Sequence, residues 1–156
     1  MGEAANSGPV PEARGLRVAV VAARYNEAIV EQLVSAVSER WLQLGGAPAH
    51  LRIERVPGAF ELPLAARQFA LGRQVDAVVA LGCVIRGDTA HFEYIAGECA
   101  RGLQRVMLDT GVPVSFGVLT TENEAQARER SAPGALNKGA EALDTAVAMA
   151  QLLQRL

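Results

Sequence analysis

The chain is predicted to fold as an α/β domain built on a doubly wound, parallel four-stranded sheet with helices on both faces. Three observations carry that expectation: four short apolar runs, helical periodicity between them, and turn or capping residues at the junctions. The runs cover residues 16–23, 49–56, 75–81 and 113–120. The first and third are nearly continuous β-formers, as in parallel strands covered on both sides.

Between the first two runs, Ile29, Leu33, Val37, Trp41 and Leu44 recur at helical spacing, with Asn26 as a cap and Gly45-Gly46 as the stop. Trp41, set among aliphatics, belongs to a core or an interface. A shorter helix follows over residues 60–71, with Pro63 tolerated in its first turn and Gly72 just beyond its end. After the third run, Gly82 and Gly87 can turn the backbone, and Asp88 and Thr89 can cap a helix over residues 90–109. Thr121-Glu122-Asn123-Glu124 matches a capping box and opens a short helix to Arg130. Pro133 and Gly134 break the pattern before a last helix over residues 138–155.

Strands alternating with helices favour the flavodoxin-like strand order 2-1-3-4. Ligands of such sheets bind outside the carboxyl ends of the strands, and the distinctive motifs here all fall at those ends.

At 156 residues the chain is read as one domain over residues 16–156, preceded by a flexible or partner-docked arm over residues 1–15. That arm lacks the basic start and apolar centre of a signal peptide. The formal charge of -2, without a basic cluster, argues against nucleic acid and for small-molecule or protein partners. No apolar run approaches a membrane span. Cys83 and Cys99 lack metal-ligand spacing, so no metal site and no structural disulfide are expected, and reduced thiols suit a cytoplasmic protein.

The richest segment runs from Leu81 to Tyr94, joining a strand to a helix through Gly87, Asp88 and Thr89. A helix start exposes unpaired N–H groups and a positive dipole end, which together favour an anion. His91, in the first turn, adds a titratable group whose neutral form the dipole favours and which can exchange protons. Arg86-Gly87-Asp88 also spells an adhesion tripeptide, taken as coincidence.

Three other constellations admit two readings each. Tyr25, after the first strand, can stack on a planar heterocycle or simply close the strand end. In Val56-Pro57-Gly58-Ala59-Phe60-Glu61, Glu61 can accept from hydroxyls, although alone it reads more simply as complementing a helix dipole. Arg128, Arg130 and Lys138, the only lysine, suit either a solvated helix end or a phosphate clamp.

Taken together and in order, these motifs resemble the lumazine synthase family. The resemblance rests on Ala-Arg-Tyr-Asn at 23–26, Val-Pro-Gly-Ala-Phe-Glu-Leu-Pro at 56–63, the long segment at 82–94, Phe-Gly-Val-Leu-Thr-Thr-Glu-Asn at 116–123, and Asn137-Lys138-Gly139. It implies condensation of 5-amino-6-(D-ribitylamino)uracil with 3,4-dihydroxy-2-butanone 4-phosphate to 6,7-dimethyl-8-ribityllumazine, without a cofactor. Carried over, Tyr25 would stack on the pyrimidine, where the family more often has Phe or Trp. Ala59, Phe60 and Glu61 would line the ribityl and uracil site, with Cys83, Val84 and Ile85 opposite. Gly87, Asp88 and Thr89 would hold phosphate with Arg130 as counter-charge, and His91 would shuttle protons.

The resemblance also implies that Phe116 and Arg130, with Lys138 nearby, arrive from an adjacent subunit of a homopentamer. Twelve such pentamers form an icosahedral shell in some members. The short connection between Arg130 and Lys138 resembles the shell-forming type, although Leu136 and Pro133-Gly134 depart from it. Two alternatives are weighed against the enzyme. A non-catalytic binding or shell-forming homologue is opposed by the intact His91, Arg130 and Glu61 set, and a receiver or flavin-binding module by the lack of an acidic site or phosphate loop at residues 22–26.

Overall fold

The computed structural model describes residues 8–156. It is a four-stranded parallel sheet in the order β2-β1-β3-β4, the predicted order, with helices on both faces. The strands are β1 (Val18–Ala23), β2 (Leu51–Val56), β3 (Ala77–Ile85) and β4 (Val114–Thr121). The helices are α1 (Glu27–Gln43), α2 (Leu62–Leu71), α3 (His91–Thr110), α4 (Glu124–Ser131) and α5 (Lys138–Arg155).

Side chains alternate across the sheet, and the alternation builds two cores. Val18, Val20 and Ala22 of β1 and Val79, Leu81 and Cys83 of β3 pack with Leu33, Trp41, Leu143 and Val147 beneath α1 and α5. Ala19, Val21, Val78 and Ala80 face the other way, against Leu62, Ala66, Cys99 and Leu103 of α2 and α3. Trp41 belongs to the first core, its indole N–H donating to the Ala47 carbonyl at 2.8 Å. Gly46 passes so close to the indole that a β-carbon there would overlap the ring.

Several local expectations are corrected. β3 does not turn at Gly82 but continues to Ile85, because β4 pairs with it through Gly82↔Val118 and Ile85↔Thr121. Gly82 is small for packing: an added β-carbon would meet Leu62, Val118 and Ala23. Residues 48–50 form a single 3-10 turn opened by Pro48, so β2 starts two residues late. The helix at Phe60 likewise begins as a 3-10 turn over Ala59–Glu61, with α2 proper from Leu62.

Caps are also relocated. Asn26 adopts a left-handed conformation, φ 57°, and makes no cap bond. Asn123, two residues beyond the expected Thr121, caps α4 by accepting from the Gln126 N–H at 2.9 Å. Asn137 caps α5 as a buried residue, accepting from the Gly139 N–H at 2.8 Å and donating to the Ser131 carbonyl at 2.7 Å. Of the segment read as an arm, residues 1–7 lie outside the described residues. Within the rest, Ala13 is buried and its N–H donates to the Leu44 carbonyl at 2.8 Å.

Candidate active site

Three loops meet at the carboxyl ends of β1, β2 and β3. The β1–α1 and β2–α2 loops are joined by backbone bonds, Arg24 N–H to the Val56 carbonyl at 2.8 Å and Tyr25 N–H to the Pro57 carbonyl at 3.2 Å. The β1–α1 loop is tied to the last stretch of β3 by Asn26, whose Nδ2 donates to the Cys83 carbonyl at 2.9 Å. Two aromatic side chains stand out from this surface: Tyr25 is 74% exposed and Phe60 57%. Covering such area would be favourable, and an aromatic face is suited to stacking.

Glu61 closes the β2–α2 turn. Its Oε2 accepts from the Gly58 N–H at 2.9 Å, while its own N–H donates to the Gly58 carbonyl at 3.2 Å. The dipole-complementing role read from sequence is thus present, with Ala59 buried just behind it.

The β3–α3 loop carries the anion-site features. Because β3 runs to Ile85, only residues 86–90 remain to reach α3, and Ala90 rather than Asp88 or Thr89 occupies the cap position. Thr89 Oγ1 accepts only a long 3.4 Å bond from the His91 N–H. Among the described residues, the N–H groups of Gly87, Asp88 and Thr89 meet no acceptor in the chain. Consecutive unpaired N–H donors near a helix start are of a kind that suits an anion. Gly87 needs no left-handed backbone; a β-carbon there would meet open space, so glycine keeps the loop unobstructed. His91, the first residue of α3, is exposed beside these donors.

The strand alternation separates the three residues expected to line the site at the end of β3. Val84 packs against the α2/α3 core beside Ala59, whereas Ile85 packs against the α1/α5 core and the Cys83 side chain lies within it. Burial pushes the Cys83 thiol up to about 11, helped by the charge of Glu124, so the residue meets the loops through its carbonyl.

Phe116, Arg130 and Lys138 are not brought to these loops by contacts within the chain. Phe116 pairs with Ala80 in the body of edge strand β4 and is 46% exposed. Arg130 donates to the Gln126 carbonyl at 3.0 Å within α4, and Lys138 pairs with Glu141 at 2.6 Å within α5. Lys138 instead borders a groove of about 570 Å³ between α1, α5 and residues 8–11. Among the described residues, no cluster of His, Cys, Asp and Glu could hold a metal, and no helix is long and apolar enough to cross a membrane.

Sequence reasoning missed Asn26 as a tie from the β1–α1 loop to β3 and Arg86 as more than part of a tripeptide. An asparagine after a strand, able to take a left-handed conformation, was the only local signal for the first. Nothing local marked the second.

The family model described as 6,7-dimethyl-8-ribityllumazine synthase matches residues 15–154. Among curated relatives, proteins of that name from two strains of Thermus thermophilus are 49% identical over 146 residues, covering 94% of this chain and 93% of theirs. One of the same name from Halorhodospira halophila is 48% identical over 140 residues, covering 90% of each.

Proposed function

The chain belongs to the 6,7-dimethyl-8-ribityllumazine synthase family, and from that premise we infer how its strand-end loops carry the reaction. The activity is the riboflavin-pathway condensation of 5-amino-6-(D-ribitylamino)uracil with 3,4-dihydroxy-2-butanone 4-phosphate. One observation supports siting it here: exposed Tyr25 and Phe60, three unpartnered loop N–H groups and His91 share one end of the sheet.

The pyrimidine stacks on Tyr25, with Phe60 and Val84 as apolar boundaries and the Ala59 and Cys83 backbones as floor. Ile85 fixes the direction in which the β3 end leaves the core, and Glu61 sits beside the ribityl hydroxyls. The phosphate of the ketone rests on the N–H groups of Gly87, Asp88 and Thr89 and on the Thr89 hydroxyl. The Asp88 carboxylate must point away from it, since two anions at contact repel.

The primary amine attacks the ketone and loses water to give an imine. Loss of a proton from the adjacent hydroxyl-bearing carbon then expels phosphate to leave an enol, which tautomerises to a ketone, and the second nitrogen closes the ring on that new carbonyl with loss of water. His91 takes and returns these protons, and the protein's larger contribution is to hold two substrates in reacting geometry.

The leaving phosphate still wants a cation. Among the described residues, no contact within the chain brings Arg130 or Lys138 to these loops, which supports a site completed by Phe116, Arg130 and Lys138 of another copy. A homopentamer would supply them, and the short link from Arg130 to Lys138 favours a 60-subunit shell. Residues 16–156 form the catalytic domain, residues 1–15 an arm, and the setting is the cytoplasm, with neither nucleic acid nor membrane as partner.

Mixing the purified protein with both substrates should give lumazine absorbance and stoichiometric phosphate. Product formation no faster than the uncatalysed reaction would defeat this reading. Light scattering after size exclusion separates shell from pentamer.

A further inference from the structure

Arg86 begins the phosphate loop yet has no part in the chemistry above. Its backbone N–H donates to the Thr121 carbonyl at 2.9 Å, closing the β3–β4 ladder. Its side chain then meets two carboxylates: Nε donates to Glu122 Oε2 at 2.8 Å, and Nη1 to Glu93 Oε1 in the first turn of α3. The guanidinium also lies over the Phe92 ring, 4.3 Å from its centroid. One planar cation therefore ties together the end of β3, the start of α3 and the β4–α4 turn.

Residues 87–90, which this link spans, have little else to hold them. Their N–H groups meet no acceptor in the chain, and a side chain at Gly87 would stand in open space. An exposed ion pair adds little to global stability, so the consequence of this cluster is local geometry. With both carboxylates engaged, the guanidinium is neutralised and directed across the loop rather than into it. The Arg86 hydrogen bond holds the Glu93 carboxyl below its ordinary range, so the link persists at neutral pH.

We propose that Arg86 is a positioning residue that, through Glu93 and Glu122, fixes the span of residues 87–90 to the width of a phosphoryl group. The proposal rests on reading this loop as the phosphate site. It differs from direct binding, in which Arg86 would leave its carboxylates to meet the phosphate.

The two accounts give opposite signs for Glu93→Gln. If Arg86 positions the loop, Arg86→Gln and Glu93→Gln should each raise KM for the phosphorylated ketone and Ki for inorganic phosphate by about tenfold, leaving KM for the pyrimidine within about twofold. Arg86→Lys, which keeps the charge but cannot bridge two carboxylates, should lie between wild type and Arg86→Gln.

A Glu93→Gln enzyme that binds phosphate more tightly would overturn the proposal in favour of direct contact. Phosphate constants unchanged in all variants, or both KM values rising together, would overturn it too. Glu122→Gln, which removes the other arm, should reproduce the phosphate defect if Arg86→Gln fails to fold. Calorimetric titration with inorganic phosphate reads the loop without turnover. Wild-type protein that binds phosphate but forms no lumazine would therefore sink the enzyme reading alone.

Discussion

Asn26 donates from Nδ2 to the Cys83 carbonyl at 2.9 Å while its own backbone is left-handed, φ 57°. The bond fastens the start of α1 to the last stretch of β3, between Tyr25 and the β3–α3 loop. Asn26→Gly keeps that backbone and loses only the bond, which should cost about 1 kcal/mol. Asn26→Ala loses the bond and also the polar side chain that lets asparagine tolerate the left-handed region better than alanine, and should cost about 2 kcal/mol. Urea midpoints check this; equal losses would show that the left-handed backbone matters little.

His91 and Arg130 are predicted to serve one site from two copies of the chain. His91→Ala should lower kcat by about a hundredfold or more with little change in KM, and Arg130→Ala should mainly raise KM for the phosphorylated ketone. In a randomly mixed ring of both mutants, about a quarter of the sites would unite an intact His91 with a neighbour's intact Arg130. Co-expressed mutants should regain about that share of activity. Activity no greater than the average of the two mutants would mean that each site draws both residues from one chain.

Both thiols are held protonated by burial, Cys83 up to about 11 and Cys99 up to about 12, from an ordinary 9.0. Below pH 9 the thiols are protonated in both folded and unfolded chains, and their contribution to stability is fully present. Above it the unfolded thiols ionise first, so that contribution is lost as pH rises from 9 toward 11 and 12. Native protein should resist a thiol reagent at pH 8 and react fully in urea. Cys83→Ala should flatten the decline of urea midpoint between pH 9 and 10.5, and an unchanged slope would remove Cys83 as a cause.

Arg40 and Asp144 join α1 to α5 in a two-pronged pair, Nε to Oδ1 at 2.8 Å and Nη2 to Oδ2 at 3.0 Å, with both side chains mostly covered. A double-mutant cycle with alanine at both positions should give a coupling of about 1 kcal/mol. A coupling near zero would leave the helix pair to apolar packing alone.

The long-range ties in this protein explain where sequence reading stopped. Gly82 looked like a break because glycine weakens a strand in isolation, yet pairing with Val118 carries β3 three residues further. With that extension the loop is short, Ala90 takes the helix cap from Asp88 and Thr89, and their N–H groups meet no acceptor among the described residues. The motif residues were readable, but their hydrogen-bond duties were not.

By itself the sequence determined the α/β class, the strand order, the helices and the family, because apolar period and motif order are properties of neighbouring residues. The spacing of Ile29, Leu33, Val37 and Trp41, which places them in the core on one face of α1, is of this kind. Only the tertiary structure decided that Asn26 holds Cys83, 57 residues away, that Arg86 reaches Glu122, 36 residues away, and that Cys83 and Val84 face opposite cores. The physical reason is that such contacts are set by strand pairing and register, which no local pattern encodes.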